Sequence, residues 1–564
     1  IRKQAESYVD EIAGDQRIQV HHFLYYILKW LFASIFDGID LKESQFARLK
    51  TKNQEGSLIY VSCHKSHLDY LIIGYLSFIN RMAIPYMAAG KNLSFWPVGP
   101  LLRNAGAFFI RRSFKGLGLY PHVFAAYLKV LVKEKLNINF YIEGGRSRTG
   151  KLLPPRVGML GFLLQAVREG SVDDLTFVPT FVGYDQVPEE SSYLRELAGR
   201  EKQKESLTSL LRSWEILRRR FGRAYVRFHE PISYRSFCTR YGTENGRGQT
   251  VGEENRKLIQ DFAYHLMYGI VRAGVVTPVD LVAAGLGCAN NLRVTHEFLI
   301  QAIGYLCNAL DTGGIELAES LANREVAVQT TLGLFAVRGF INVEPVQSDP
   351  GLTTYVITEH RRPNLEFYKN GIVNYVWPAS LLAALLLTGN LSLATDSRRL
   401  LEEFTQLKGL LSKELIWDPL VTDGTLVEDN LKLFSKKGWL MTEPDGEIKM
   451  LNITALRCFR GIILDLAALY HRVLVACEMV EDRPIGQKEF MKLMARIGPD
   501  GSGGSEQPPG PVLSIVTIDN ALTRFAEMGI LDYGPTSKVL GGINDADQYE
   551  TVKRFLAQLL GLSA

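Results

Sequence analysis

The 564-residue sequence is poor in cysteine: Cys63, Cys238, Cys288, Cys307, Cys458 and Cys477 are scattered, with no C-x-x-C spacing. That excludes a disulfide framework and a cysteine zinc site, and it suits a reducing compartment. An excess of either charge is also missing. Lys and Arg total 64 against 60 Asp and Glu, a net charge of +4. Bulk nucleic-acid binding is therefore not expected, and any basic function is local. No run reaches the roughly 18 uninterrupted apolar residues of a spanning helix. Two come near: residues 23–36, broken only by Lys29, and residues 372–387, which carry Asn374 and Pro378. Each reads either as a buried core helix or as a monotopic surface helix, with aromatics at headgroup level and Lys29 and His22 facing phosphates.

What is present is an ordinary folding composition. Hydrophobic residues at 46% exclude disorder and collagen-like repeats. At about 150 residues per domain the length predicts two to four domains. Between about 56 and 232, β-rich runs (58–63, 107–112, 138–143, 175–184, 224–228) alternate with helical stretches such as 120–134 and 157–168. Alternation of this kind predicts an α/β domain with a mostly parallel sheet, whose ligands sit beyond the carboxyl ends of the strands. Beyond about 240 the pattern predicts a mainly helical region with short β-hairpins. One motif recurs there: Leu332, Phe335, Gly339, Phe340, Ile341; then Leu431, Phe434, Gly438, Trp439, Leu440; then Leu522, Phe525, Gly529, Ile530, Leu531. Leu and Phe share a helix face, Gly ends the helix and the apolar pair opens a strand, similar to the helix-plus-hairpin end of a winged-helix module. The division expected is an N-terminal helical, membrane-surface segment (1–45), the α/β domain (46–240), a helical region (241–497), a Gly/Pro-rich linker (498–511) and a helical end (512–564).

Polar clusters follow three of the runs directly. In Cys63-His64-Lys65-Ser66-His67-Leu68-Asp69, His64 is a candidate base and Asp69 a candidate orienter of its imidazole. Five residues in a helix is a rotation of about 140°. The pair therefore meets only if His64 precedes the helix and Asp69 lies in its first turn. Ser66-x-x-Asp69 also reads as a helix cap, and His64 with His67 as metal ligands. Cys63 is a poorer nucleophile candidate, since neighbours on a strand face opposite ways. The second cluster sets Arg111, Arg112 and Lys115 after Phe108-Phe109-Ile110, where arginine at a strand end suits a phosphate or else forms a solvated basic face. In the third, Glu143-Gly144-Gly145-Arg146-Ser147-Arg148, glycine amides and arginine forks could cradle a phosphate. It is not a P-loop, because Gly150-Lys151 continues to Leu152. Glu143 could bind a polyol hydroxyl or hold the neighbouring arginines. Pro179, inside an apolar strand-like run, marks either a substrate wall or an edge strand.

In order, HKSHLD, GAFFIRRSF, FYIEGGRSRTGK and VPTFVGYD resemble the four acyltransferase blocks of the glycerol-3-phosphate acyltransferase family. SFWPVGPLLRNAGAFFIRRSFKG and the double glycine of EGGRSRTG are similar to its bacterial membrane branch. Lys65 departs from the commoner Arg, keeping the charge but not the fork. The resemblance implies transfer of a fatty acyl group from acyl-CoA or acyl carrier protein to the sn-1 hydroxyl of glycerol 3-phosphate, giving lysophosphatidic acid. It implies His64 as general base with Asp69 behind it (the HX4D motif), and no covalent acyl-enzyme. Glycerol 3-phosphate would be held by Arg112, with Arg111 and Lys115 close by, and by Glu143, Gly144, Gly145, Arg146, Ser147 and Arg148. Pro179 would line the acyl-donor site. No metal or cofactor is implied. Membrane phospholipids are an expected partner, with a peripheral or monotopic place on the cytoplasmic face of the inner membrane; the bacterial members that the chain resembles also carry a sizeable N-terminal part, which a start at Ile1 lacks. The alternatives are a dihydroxyacetone-phosphate or lysophospholipid acyltransferase, or a non-catalytic membrane-surface binding protein.

Overall fold

The β-rich runs assemble into one sheet. In the computed structural model, which describes residues 1–111, 113–114, 116–198, 219–241, 253–345, 353–388, 397–443, 447–480, 484–496 and 510–562, eight strands form it: β1 (Gly38–Leu41), β2 (Leu58–Ser62), β3 (Tyr86–Gly90), β4 (Ala107–Ile110), β5 (Ile138–Tyr141), β6 (Thr176–Tyr184), β7 (Arg223–Phe228) and β8 (Ile232–Ser233). Their order is β1-β7-β6-β2-β5-β3-β4, with β8 beside β6. β2 runs parallel to both β5 and β6, and β3 to β4 and β5. β7 and β8 are antiparallel to β6, so the sheet is mostly parallel, as expected. Its central strands are buried on both faces, which explains their unbroken apolar runs. Arg112, Lys115 and the expected linker, apart from Gly510 and Pro511, lie outside the described residues.

Three strands escape the sequence pattern: β1, β3 and the two-residue β8. GIDL of β1 and YMAAG of β3 are short and nearly free of β-branched residues, and their pairing with β7 and with β4 and β5 makes them strands. Pro179 belongs neither to an edge strand nor to an open wall. β6 is interior, and Pro179 stands where its antiparallel partner changes from β7 to β8, a break in the ladder that tolerates a missing N–H. Its ring abuts Gly269 of helix Glu253–Arg272: a Cβ at that glycine would lie 2.7 Å from Pro179 Cγ. Phe177, on the same face of β6, packs edge-on to Phe262 of that helix, with centroids 5.2 Å apart.

The two long apolar stretches part company. Residues 372–386 fall within helix Arg362–Leu386, with Leu387 as its C-cap, buried nearly all round against helices Pro278–Cys288 and Ile453–Cys477. They are core. Residues 23–36 fall mostly in helix Ile18–Ile35, which buries Leu28, Phe32 and Ile35 and stacks Tyr25 on Tyr75 of the neighbouring helix. Its other side turns Phe23, Tyr26, Ile27 and Trp30 outward, Tyr26 being 70% and Trp30 58% exposed. No helix among the described residues is long and apolar enough to cross a membrane.

The recurrent C-terminal motif is one local structure used three times. Helices Arg324–Val337, Asp423–Lys436 and Ile515–Glu527 each end at a glycine of positive φ, Gly339 (68°), Gly438 (67°) and Gly529 (79°). In each the next amide bonds back to the Phe carbonyl: Phe340 to Phe335, Trp439 to Phe434, Ile530 to Phe525. That is the Schellman closure, which requires a left-handed residue. An antiparallel strand pair follows each time.

Candidate active site

His64 leaves β2 two residues beyond its last strand residue, and helix Asp69–Ile79 begins at Asp69. This is the arrangement the spacing demands. His64 Nδ1 lies 2.9 Å from Asp69 Oδ2, and the wholly buried carboxylate fixes the ring while its side chain stays 14% exposed. The pair thus sets a partly exposed imidazole at the carboxyl end of a central parallel strand. Tyr141 stacks on the imidazole, with centroids 4.0 Å and planes 19° apart. Tyr184 donates to Asp69 Oδ1 at 2.5 Å.

The loop between strand and helix is held by its amides. His64 N–H donates to Glu143 Oε1 (2.8 Å), Lys65 N–H and Ser66 N–H to Asp69 Oδ2 (2.8 and 3.0 Å), and His67 N–H to Glu189 Oε1 (2.9 Å). Four successive donors thus meet three carboxylates. Leu68 N–H donates to Ser66 Oγ (3.1 Å), which itself donates to Glu189. Asp69 therefore orients His64 and ties the loop amides ahead of its helix, whereas the expected Ser66 cap is not formed: the N-cap is Leu68, with no side-chain cap hydrogen bond.

Of the third cluster, the structure brings some residues to this loop in roles other than those expected. Glu143 binds neither an arginine nor an open pocket: its oxygens accept the amides of His64 and Leu153. Ser147 donates its N–H to His64 O (2.8 Å) and its hydroxyl to Lys151 O, and it is buried. It ties two loops together and offers no hydroxyl to a ligand. The Gly144 amide closes a turn onto Tyr141 O (3.0 Å); Gly145 is half-buried, with open space where a Cβ would stand. Arg148 is ion-paired with Glu196. Arg146 lies over the ring of Tyr193, 5.5 Å from its centroid, and Tyr193 donates to Lys65 O (2.9 Å). Of the described cations expected to hold substrate, Arg146 is the one linked, through Tyr193, to the loop that carries His64.

Arg111 is not brought to His64. It follows β4, three strands from β2, or about 14 Å at the usual strand spacing. Its fork is filled by Glu11 of helix Arg2–Ile12 at 2.6 Å through both Nε and Nη2, and it lies over Tyr8 and Tyr120. Hydrogen bonding to Arg111 holds the Glu11 carboxyl down at about 2. Pro179 is likewise turned away, under helix Glu253–Arg272. Cys63 is buried, its Sγ 3.4 Å from Val182 O, and burial pushes its thiol up to about 12, which removes it as a nucleophile. Sequence reasoning missed Glu189, Tyr141, Tyr193 and Tyr184. Tyr141 and Tyr184 fall inside the FYIEGGRSRTGK and VPTFVGYD blocks without being singled out there, and Glu189 and Tyr193 fall in none of the four.

Burial pushes the Glu143 carboxyl up to about 8 against an ordinary 4.5, outweighing the two amide hydrogen bonds that pull it down. The folded state therefore holds a proton between pH 4.5 and 8 that the unfolded chain releases, so this residue's stabilisation falls as pH rises across that window. Thermal melts are expected to show Glu143→Gln losing ground to the wild type at pH 5 and closing the gap by pH 9. A gap that stays constant with pH would contradict the protonated assignment.

The description "Glycerol-3-phosphate acyltransferase C-terminal region" matches residues 193–534, more than half of the chain, and "Acyltransferase" matches residues 44–183. Among curated proteins, a glycerol-3-phosphate acyltransferase of Shewanella woodyi is 30% identical over 88% of this chain and 61% of its own length. One of Aeromonas hydrophila is 33% identical over 68% of this chain and 47% of its own. The chain thus spans about half to three-fifths of these relatives. A solved 1-acyl-sn-glycerophosphate acyltransferase from Thermotoga maritima overlaps 43% of this chain and 75% of its own at 18% identity, with a TM-score of 0.25, too slight a likeness to argue from. With the sheet and the His64–Asp69 pair in hand, the two matched regions together mean that the chain belongs to the glycerol-3-phosphate acyltransferase family.

Proposed function

We propose that this chain transfers a fatty acyl group from a thioester, acyl-CoA or acyl carrier protein, to the sn-1 hydroxyl of glycerol 3-phosphate, giving lysophosphatidic acid. The observation that carries the reading is the His64 Nδ1–Asp69 Oδ2 bond of 2.9 Å beneath a partly open imidazole. His64 Nε2 takes the proton as the alcohol oxygen attacks the thioester carbonyl, and Asp69 stabilises the imidazolium. Collapse of the tetrahedral adduct breaks the carbon–sulfur bond, and the proton passes from His64 to the leaving thiolate. No acyl-enzyme is needed. Arg146 is the described cation best situated to meet the phosphate, with Arg112 assigned by the resemblance alone.

The outward stripe of Phe23, Tyr26, Ile27 and Trp30 supports a monotopic seat at a membrane surface, because aromatics on one side of a surface helix favour the headgroup boundary; the cytoplasmic face of the inner membrane is assigned by the resemblance alone. The decisive experiment follows thiol release from acyl-CoA by purified protein on phospholipid vesicles. Release should require glycerol 3-phosphate and produce an equal amount of lysophosphatidic acid. Equal release without acceptor would make the protein a thioesterase, and preference for dihydroxyacetone phosphate or a lysophospholipid would move it to a neighbouring acyltransferase class.

A further inference from the structure

Asp69 carries a second oxygen that the base mechanism leaves unexplained. Oδ2 is crowded: it takes His64 Nδ1 and the amides of Lys65 and Ser66. Oδ1 sits in a residue with no solvent exposure, and among the described residues Tyr184 is its hydrogen-bond partner, at 2.5 Å. The tyrosine comes from the last position of β6, 115 residues away. Its ring is buried and stacked on Phe36, with centroids 5.6 Å and planes 24° apart. The phenol is thereby aimed from the end of β6 at the carboxylate that orients His64.

Resting on the reading of His64 as the general base, we infer that Tyr184 is a positioning residue of the reaction, acting on the base through Asp69. It does two things. It prevents the carboxylate from rotating about its carbon–carbon bond, because both oxygens are tied to fixed donors. It also draws negative charge toward Oδ1, and so tempers the pull of Oδ2 on the imidazolium. A hydrogen bond to a charged acceptor is about twice as strong as a neutral one. Burial raises the phenol well above its ordinary range, so it remains the donor throughout the working range of the enzyme. The other ionisable groups whose charges reach Asp69 come from different elements: Cys63 at the end of β2, Tyr141 and Glu143 at the end of β5, and Glu189 and Tyr193 at the segment after β6. A change confined to the Tyr184 hydroxyl leaves all of them in place.

The sign of the expected effect follows. Tyr184→Phe keeps the stacked ring and removes only the donor. The carboxylate becomes more basic and holds the protonated imidazole more strongly, so the acidic limb of the pH–kcat/KM profile should move up by roughly half a pH unit. kcat should fall by about tenfold as Oδ1 is left buried and unpaired. A fluorotyrosine in place of Tyr184, a stronger donor, should move the limb down. Tyr225→Phe is the control: Tyr225 is also buried and donates to a carboxylate, Asp185 Oδ1 at 3.0 Å, but on β7 and away from His64. It should lower the melting temperature and leave the pH profile unchanged.

Profiles of Tyr184→Phe and the fluorotyrosine enzyme that superimpose on the wild type, with a lowered melting temperature alone, would overturn the inference and leave Tyr184 a packing residue. Full turnover in His64→Ala would instead remove the reading on which the inference stands, so the two failures are distinguishable.

Discussion

His64→Ala is expected to lower kcat by about 10²–10⁴-fold, the usual contribution of a positioned base, with the melting temperature close to wild type. The second half of that expectation comes from how the residue is anchored. Its N–H is held by Glu143 and its carbonyl by the amide of Ser147. Both are backbone bonds that alanine keeps. Only the imidazole is lost, from a partly exposed position over Tyr141. Asp69→Asn should behave differently, although it too would disable the base. Four donors converge on that carboxylate, from His64, Lys65, Ser66 and Tyr184, and an amide NH₂ group would face at least one of them as a donor against a donor. It should lower both turnover and stability. Acyl-transfer rates and thermal melts on the two variants check this. Substantial residual turnover in His64→Ala would refute the imidazole as base, and an unaltered melting temperature in Asp69→Asn would contradict the converging-donor geometry.

The parts of the site legible in the sequence are those that depend on local rules. A histidine after an apolar strand and an acid where a helix must start leave one way for the pair to meet, and the structure uses it. The strands rich in branched and aromatic residues were visible for a similar reason, since a buried parallel strand writes a continuous apolar run. Roles set by a distant partner were not visible. Arg111 looks the same in sequence whether its fork faces a phosphate or, as found, a carboxylate 100 residues earlier. Glu143 reads as a ligand or ion-pair residue because a sequence does not show that two backbone amides will converge on it. Tyr184 lies inside a quoted block and Glu189 in none, but neither shows its partner in sequence, since Asp69 is 115 residues from the first and the His67 amide 122 from the second. Lys151 is a further case: it ends a run of cations in sequence, and in the fold it is a buried strut.

That strut carries the largest stability effect expected in the molecule. Lys151 is paired with Glu414 of the C-terminal region, both side chains almost completely buried. Gly150 beside it has φ +84°, and any Cβ there would collide with the carbonyl oxygen of Phe367. Asn370 of the same helix donates to Thr149 O (2.8 Å). The loop is therefore pressed backbone to backbone against the C-terminal helices. Lys151→Met would leave Glu414 in place with only the neutral donors Asn520 (2.9 Å) and Tyr470 (3.4 Å). Stranding one partner of a buried pair costs about 3–5 kcal/mol, which urea unfolding would register as a lowered midpoint. Methionine keeps the backbone carbonyl that accepts the Ser147 hydroxyl, so turnover should fall less than stability, and only as far as loss of the ion pair lets the loop that carries Ser147 shift against His64 O. Adding Glu414→Leu should restore much of the stability, since removing both charges removes the stranded one. A Lys151→Met protein with an unchanged unfolding midpoint would mean that the pair is dispensable. In that case the C-terminal helices would support the loop through packing and the Asn370–Thr149 hydrogen bond.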